Sequence, residues 1–193
     1  MATIEQALKF PFARIKRLFY WLWILIPIFG WFAFSGYIMR IIQSVIKGKY
    51  KQAPKFGKFW PNFILGIYVF ILSAVIGIVI MPVSFLQFAG PFGFIAYYAV
   101  VIYISFIAPI MFIQLAEKES LTHAFNVVRA HKIVFGNFKE YIIVVLQQLA
   151  VAIVLLIASI PIITLIFTLP AMSYSKNYLY ARFYRDVKKK PKY

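Results

Sequence analysis

The side chains in this sequence that can do chemistry are few: Glu119, His123 and His131, the cations Arg40 and Lys176, and the amides of Gln114, Gln147 and Gln148. Glu119 and His123 are spaced to share one helical face. A zinc-type site wants histidines at i, i+4 or further ligands, and none follows at such spacing. Acid–base catalysis needs converging carboxylates or a hydroxyl beside a base. The acidic residues are Glu5, Glu117, Glu119, Glu140 and Asp186, all outside the long apolar runs, so no carboxylate is placed for proton coupling inside a membrane. Cysteine is absent, which removes thiolate ligands, thiol nucleophiles and disulfides. No glycine-rich phosphate loop and no nucleophile elbow occurs. These residues supply no catalytic, cofactor or metal site, and the protein is expected not to be an enzyme.

Arg40 and Lys176 sit in or beside apolar runs, where a cation is costly unless it faces a polar groove or snorkels to the headgroups. Gln114, Gln147 and Gln148 are uncharged polar groups at membrane depth, suited to hydrogen bonds between helices or, less simply, to a permeation path.

The elements that position these residues are set by composition. Of 193 residues, 63% are hydrophobic and 13% charged, with 21 Lys+Arg against 5 Asp+Glu, a net charge of +16 and a mean hydropathy of +0.84. Lipid must solvate most of such a chain, and no soluble domain fits between the uncharged runs Leu18–Met39, Phe59–Leu115 and Tyr141–Ser175. The fold class is therefore all-α, a polytopic integral membrane bundle: about four full spans, an N-terminal re-entrant or short helical hairpin, and amphipathic surface helices. Its basic residues border the apolar runs instead of covering a folded face. That pattern favours anionic membrane lipids as partners over nucleic acid, with a cytosolic C-terminus and a cytosolic N-terminus.

Residues 1–17 read as an amphipathic surface helix, started by a capping box at Thr3 and Gln6, with Ile4, Leu8, Phe12 and Ile15 as its apolar stripe. Lys9, Arg14, Lys16 and Arg17 would meet headgroups there, and Lys188, Lys189 and Lys190 would do so from the basic tail 182–193. Residues 18–46 are long enough to span once. A hairpin turning near Pro27 and Gly30 instead keeps the basic clusters on both flanks on one side of the membrane, and is the favoured reading. Spans are expected over 61–82 and 93–116, joined by an uncharged external loop, and a second surface helix over 120–136. The run Tyr141–Ser175, about 35 residues or roughly 50 Å of helix, exceeds one crossing. It should divide at Ile160-Pro161 into spans 138–160 and 161–181. The segments around Ile26-Pro27-Ile28 and Ile160-Pro161-Ile162 also echo each other, as two parallel halves of one ancestral unit would.

The order IEQALKFPF, IPIFGWFAFSGYIMRIIQSVIKGK and FGKFWPNFILGIY, covering Ile4–Tyr68 with Pro54 between, resembles the prokaryotic membrane family called domain of unknown function 4013. SLTHAFNVVRAHK followed by a proline-split apolar pair is similar more loosely. The resemblance implies a topology and a membrane location in archaea or bacteria and brings no catalytic residue. Members often carry acidic residues after the Gly-Lys turn, where this chain has Lys51, Lys55 and Lys58. Activity is expected to be that of a small permease-like or lipid-interacting bundle or, alternatively, of an accessory subunit packed against a membrane-protein partner.

Overall fold

The computed structural model describes residues 2–189. Thr3 and Gln6 exchange both hydrogen bonds of the capping box, at 3.2 and 3.3 Å, and start α1 (Ile4–Phe12). Its buried residues are Ala7, Phe10 and Pro11, while Ile4, Phe12 and Ile15 lie exposed. Ile4, Phe12 and Ile15 of the stripe thus face outward, Leu8 packs partly buried against the core, and the face bearing Ala7 and Phe10 meets α7 and α8. Between helices in a membrane, small residues allow close approach, and large apolar ones are equally at home against lipid.

A 3-10 helix, Ile15–Leu25, leads to a turn at Ile26–Ile28, where Ile28 adopts a positive φ of 63°. That conformation costs a β-branched residue on the order of 1–3 kcal/mol. The Trp31 indole donates to the Ile24 carbonyl at 2.8 Å across the turn. The chain thus doubles back into α2 (Phe29–Ile46). α2 lies at the centre, with Tyr37, Ile41, Ile42 and Val45 wholly buried.

α3 (Phe59–Val83) crosses α2 at backbone contact. A Cβ added to Gly36 would stand 1.7 Å from the Asn62 carbonyl oxygen, and one added to Gly66 would stand 1.8 Å from that of Phe32. Only glycine fits at either position. α4 (Gly90–Lys118) returns antiparallel and is followed by two short helices, α5 (Leu121–Ala124) and α6 (Val127–Phe135). The surface helix expected over 120–136 is thus broken at Phe125–Asn126. The Asn126 side chain accepts from the Arg129 N–H at 2.9 Å and caps the second piece.

α7 (Phe138–Ile157) and α8 (Leu165–Lys189) complete the bundle. Among the described residues four helices are long and apolar enough to cross a membrane: Phe29–Ile46, Phe59–Phe88, Gly90–Lys118 and Phe138–Ile157. α2 is among them and α8 is not, because Tyr174, Lys176, Asn177, Tyr178 and Tyr180 make α8 polar where residues 161–181 were expected to span. The helix also continues through Arg182, Arg185 and Lys188, so the basic tail is helical up to Lys189.

Burial is lopsided. In α4 the buried residues run from Ile107 to Ala116, and in α3 from Asn62 to Leu72. At the other ends Phe88 is 81% and Phe92 87% exposed, and Ile160, Ile162 and Ile163 are similarly bare.

Candidate functional site

The charged groups gather at the end where α2 and α4 finish and α5, α6 and the second half of α8 pack. The α4 residue Glu117 has a side chain only 9% exposed, and it is held from two elements, α8 and α6. Lys188 of α8 pairs with it, Tyr184 of α8 donates to it at 2.7 Å, and Arg129 of α6 reaches it at 3.5 Å. Arg129 also donates to the Tyr184 oxygen at 3.0 Å. His123 Nε2 lies 2.7 Å from Arg129 Nη1. A guanidinium has only donors, so this nitrogen accepts, which leaves the imidazole neutral with its proton on Nδ1. Its 3.5 Å approach to Glu117 is accordingly no ion pair. Burial pushes the Tyr184 phenol up, and the neighbouring Glu117 adds to the rise, so the hydroxyl stays protonated and donates.

Gln114, wholly buried, serves the break between α5 and α6. With its amide nitrogen turned toward the His123 carbonyl it donates at 2.9 Å, and its oxygen accepts from the Ala130 N–H at 3.2 Å. His131 faces elsewhere and hydrogen-bonds the Tyr103 hydroxyl at 3.1 Å. Among the described residues no three His, Asp or Glu side chains gather as a metal site.

Arg40 meets the other carboxylate. Its Nη1 lies 2.5 Å from Glu119 Oε1 and donates to Gln43 Oε1 at 2.9 Å. Gln43 in turn donates to Glu119 at 2.9 Å and to the Ala116 carbonyl at 2.7 Å. Glu119 caps α4 in the left-handed region at φ 51°. Burial tends to raise its carboxyl. The hydrogen bonds from Gln43 and Arg40 and the charges of Arg40 and Lys47 outweigh that and hold it below the ordinary range.

Beside this pair lies an open cavity of about 390 Å³ whose lining includes Arg40, Lys47, Lys49, Lys55 and Lys58. Gly48 and Gly57, at φ 89° and 74°, let the loop between α2 and α3 fold back around it. The Tyr37 hydroxyl pins that loop by donating to the Pro54 carbonyl at 2.9 Å. The loop's Tyr50 ring lies under Arg182, 4.1 Å from its centroid, and Arg185, 5.1 Å away. Such a cavity can take a phosphate or carboxylate: five cations line it, and Glu119 pairs with one of them, Arg40.

The remaining residues singled out in the sequence are dispersed. Gln147 donates to the Ala2 carbonyl at 2.9 Å and anchors α1. Gln148 and Lys176 line cavities between α4, α7 and α8. Lys9 pairs with Glu5, Arg14 donates to Gln52 at 2.9 Å, Lys16 and Lys189 are exposed, and the Arg17 carbonyl accepts from Tyr174 at 2.9 Å. Lys188 is engaged by Glu117, and Lys190 lies outside the described residues. Sequence reasoning missed the Glu117 network and the convergence of the loop lysines. The signal for the first was in α8, where Tyr174, Tyr178, Tyr180 and Tyr184 recur at helical spacing in a basic stretch.

Long apolar helices joined through one charged end define a polytopic α-helical membrane protein. The chain belongs to the family described as Protein of unknown function (DUF4013), whose profile matches residues 19–167. No curated protein and no solved structure gave a match. The matched stretch contains the whole basic cavity, together with Glu117 and Arg129, and ends before Tyr184 and Lys188.

Proposed function

We propose that this protein is a non-enzymatic bundle of the cytoplasmic membrane that binds anionic lipid headgroups at the Arg40 cavity, with its basic end in the cytosol. The orientation follows from retention of Lys- and Arg-rich segments on the cytosolic side. One observation carries the binding role: five cations line one cavity of about 390 Å³ with a single carboxylate beside them. Phosphate groups of cytosolic-leaflet lipids are the abundant anions at that depth, and each nearby Lys or Arg adds about 1 kcal/mol of attraction.

The test uses the full chain in a non-ionic detergent, titrated with short-chain phosphatidylglycerol or phosphatidylcholine and read by native mass spectrometry. Wild type should retain phosphatidylglycerol preferentially, and a variant with Lys47, Lys49, Lys55 and Lys58 all changed to Gln should retain less of it. Equal retention of both lipids by wild type, or unchanged phosphatidylglycerol retention by the variant, would end the reading.

A second reading, an accessory subunit of a larger membrane assembly, is favoured by α3. Only 17% of its apolar window is buried, against 56% for α2, and Phe63, Trp60 and Phe70 form an aromatic band along it. A stoichiometric partner retained in mild detergent, and lost when Phe70 and Ile78 are changed to Ala, supports this reading. Purification of the chain alone counts against it.

A further inference from the structure

Three adjoining cavities, of about 410, 370 and 310 Å³, open between α4, α7 and α8, and Lys176 is the one residue that lines all three. Each volume falls within the roughly 300–1,000 Å³ typical of small-molecule sites. None of the three shares a residue with the Arg40 cavity. Their polar lining includes Ser105, Gln148, Ser173 and Asn177, and most of the remaining wall is apolar, as at Phe112, Val145 and Leu149.

Lys176 differs from the cations that hold a carboxylate. Lys9, Arg40, Arg129 and Lys188 each have a carboxylate. Among the described residues Lys176 has neither an ion pair nor a hydrogen bond. Lys176 is itself exposed, so the groove presents an open ammonium that attracts an anion. The groove wall is polar beyond its side chains. Pro109 has no N–H, so the Ser105 carbonyl lacks that helical hydrogen bond, and both residues line the groove. The same walls run into exposed apolar surface at Leu149 and Ile153 of α7.

We infer that this groove binds the anionic head of an acyl-chain lipid, phosphate or carboxylate, on Lys176, with the hydrocarbon tail lying along α4 and α7. The head supplies the charge that Lys176 lacks, and the tail replaces lipid contact on surfaces that are already apolar. Charge complementarity and the join between polar and apolar walls select an amphiphile over a free anion or a neutral lipid. This site is separate from the headgroup cavity at Arg40 and stands or falls by itself.

The full chain is reconstituted in phosphatidylcholine nanodiscs containing one of three diazirine-bearing probes: a fatty acid, a phosphatidylglycerol or the matching neutral fatty alcohol. Labelled positions are then mapped by peptide mass spectrometry. At least one anionic probe should label Ser105–Phe112 and Val145–Ala152 several-fold more than the alcohol does. The stronger of the two identifies the head as carboxylate or lipid phosphate, and equal labelling shows that the site takes either. Lys176→Gln should abolish the excess and Lys176→Arg should keep it. If the Gln variant fails to fold, competition on wild type replaces it: unlabelled fatty acid or phosphatidylglycerol should suppress labelling, and fatty alcohol and inorganic phosphate should not. Equal labelling by the alcohol, labelling unchanged in Lys176→Gln, or suppression by inorganic phosphate would overturn the inference. The variant lacking the four loop lysines should label normally here, so failure of the Arg40 cavity reading leaves this result readable.

Discussion

The two ends of the bundle are built on different principles. At the charged end, helices meet through buried tyrosines, ion pairs and glycine crossings. At the opposite end the same helices expose Phe85, Phe88, Phe92, Ile160 and Ile163. In water such an end would be an aggregation surface. In hydrocarbon, lipid tails are as apolar as the side chains, so burying Phe against Phe gains little over leaving it against lipid. Order among the helices is therefore imposed mainly where backbones touch and where polar groups need partners.

Glycine gives the sharpest way to break this comparison, because α3 carries one at each end. Gly36→Val should cost about 3 kcal/mol or more, at or beyond the top of the usual overpacking range, since its Cβ would overlap the Asn62 carbonyl. Gly66→Ala, against the Phe32 carbonyl, should behave similarly. Gly77, on the same helix toward the exposed end, has nothing within 4 Å of its Cβ position. Gly77→Ala should be neutral or gain roughly 0.5–1 kcal/mol of helix stability. Thermal unfolding of all three in one detergent checks the contrast, and equal losses at Gly36 and Gly77 would erase it.

Charge is the next lever. Glu117→Gln leaves Lys188 and Arg129 without their carboxylate, and a hydrogen bond to a charged group contributes on the order of 1.5–3 kcal/mol. A loss of about 2 kcal/mol is expected in the same assay, while Tyr98→Phe at the exposed end should change nothing measurable. Below that stands Tyr141→Phe, which removes one 2.6 Å bond to the Phe106 carbonyl and should cost about 1 kcal/mol.

The apolar half of this plan was legible in the sequence and the polar half was not. Runs of uncharged residues showed where helices lie, and Pro27 and Gly30 flagged the turn at Ile26–Ile28. Thr3 and Gln6 announced the start of α1 because a capping box is local. Arg40 and Glu119 are 79 residues apart, and nothing in spacing couples them. Glu117 reads locally as a water boundary beside Lys118, and its burial depends on α6 and α8 arriving from elsewhere. In α1, Ala7 and Phe10 make the contact with the bundle while Ile4 and Phe12 stay exposed, and which face packs depends on α7 and α8 arriving from elsewhere.

Glu119 gives the smallest expected effect and the finest test of how the charged end is held. Its carboxyl sits below the ordinary range, where burial is outweighed by Gln43, Arg40 and Lys47. A depressed carboxyl contributes stability that is fully present above its unfolded value, near 4.3, and that disappears as pH falls through the lower folded value. Wild type should therefore be more stable than Glu119→Gln at neutral pH, and the gap should close on acidification below about pH 4. The side chain is 46% exposed, so solvent and salt weaken the pair and the gap should also narrow at high ionic strength. Unfolding temperatures of both proteins measured from pH 7 to pH 3 decide the matter. A gap already absent at pH 7 would mean that Gln43, through its bond to the Ala116 carbonyl, joins α2 to α4 without help from the ion pair.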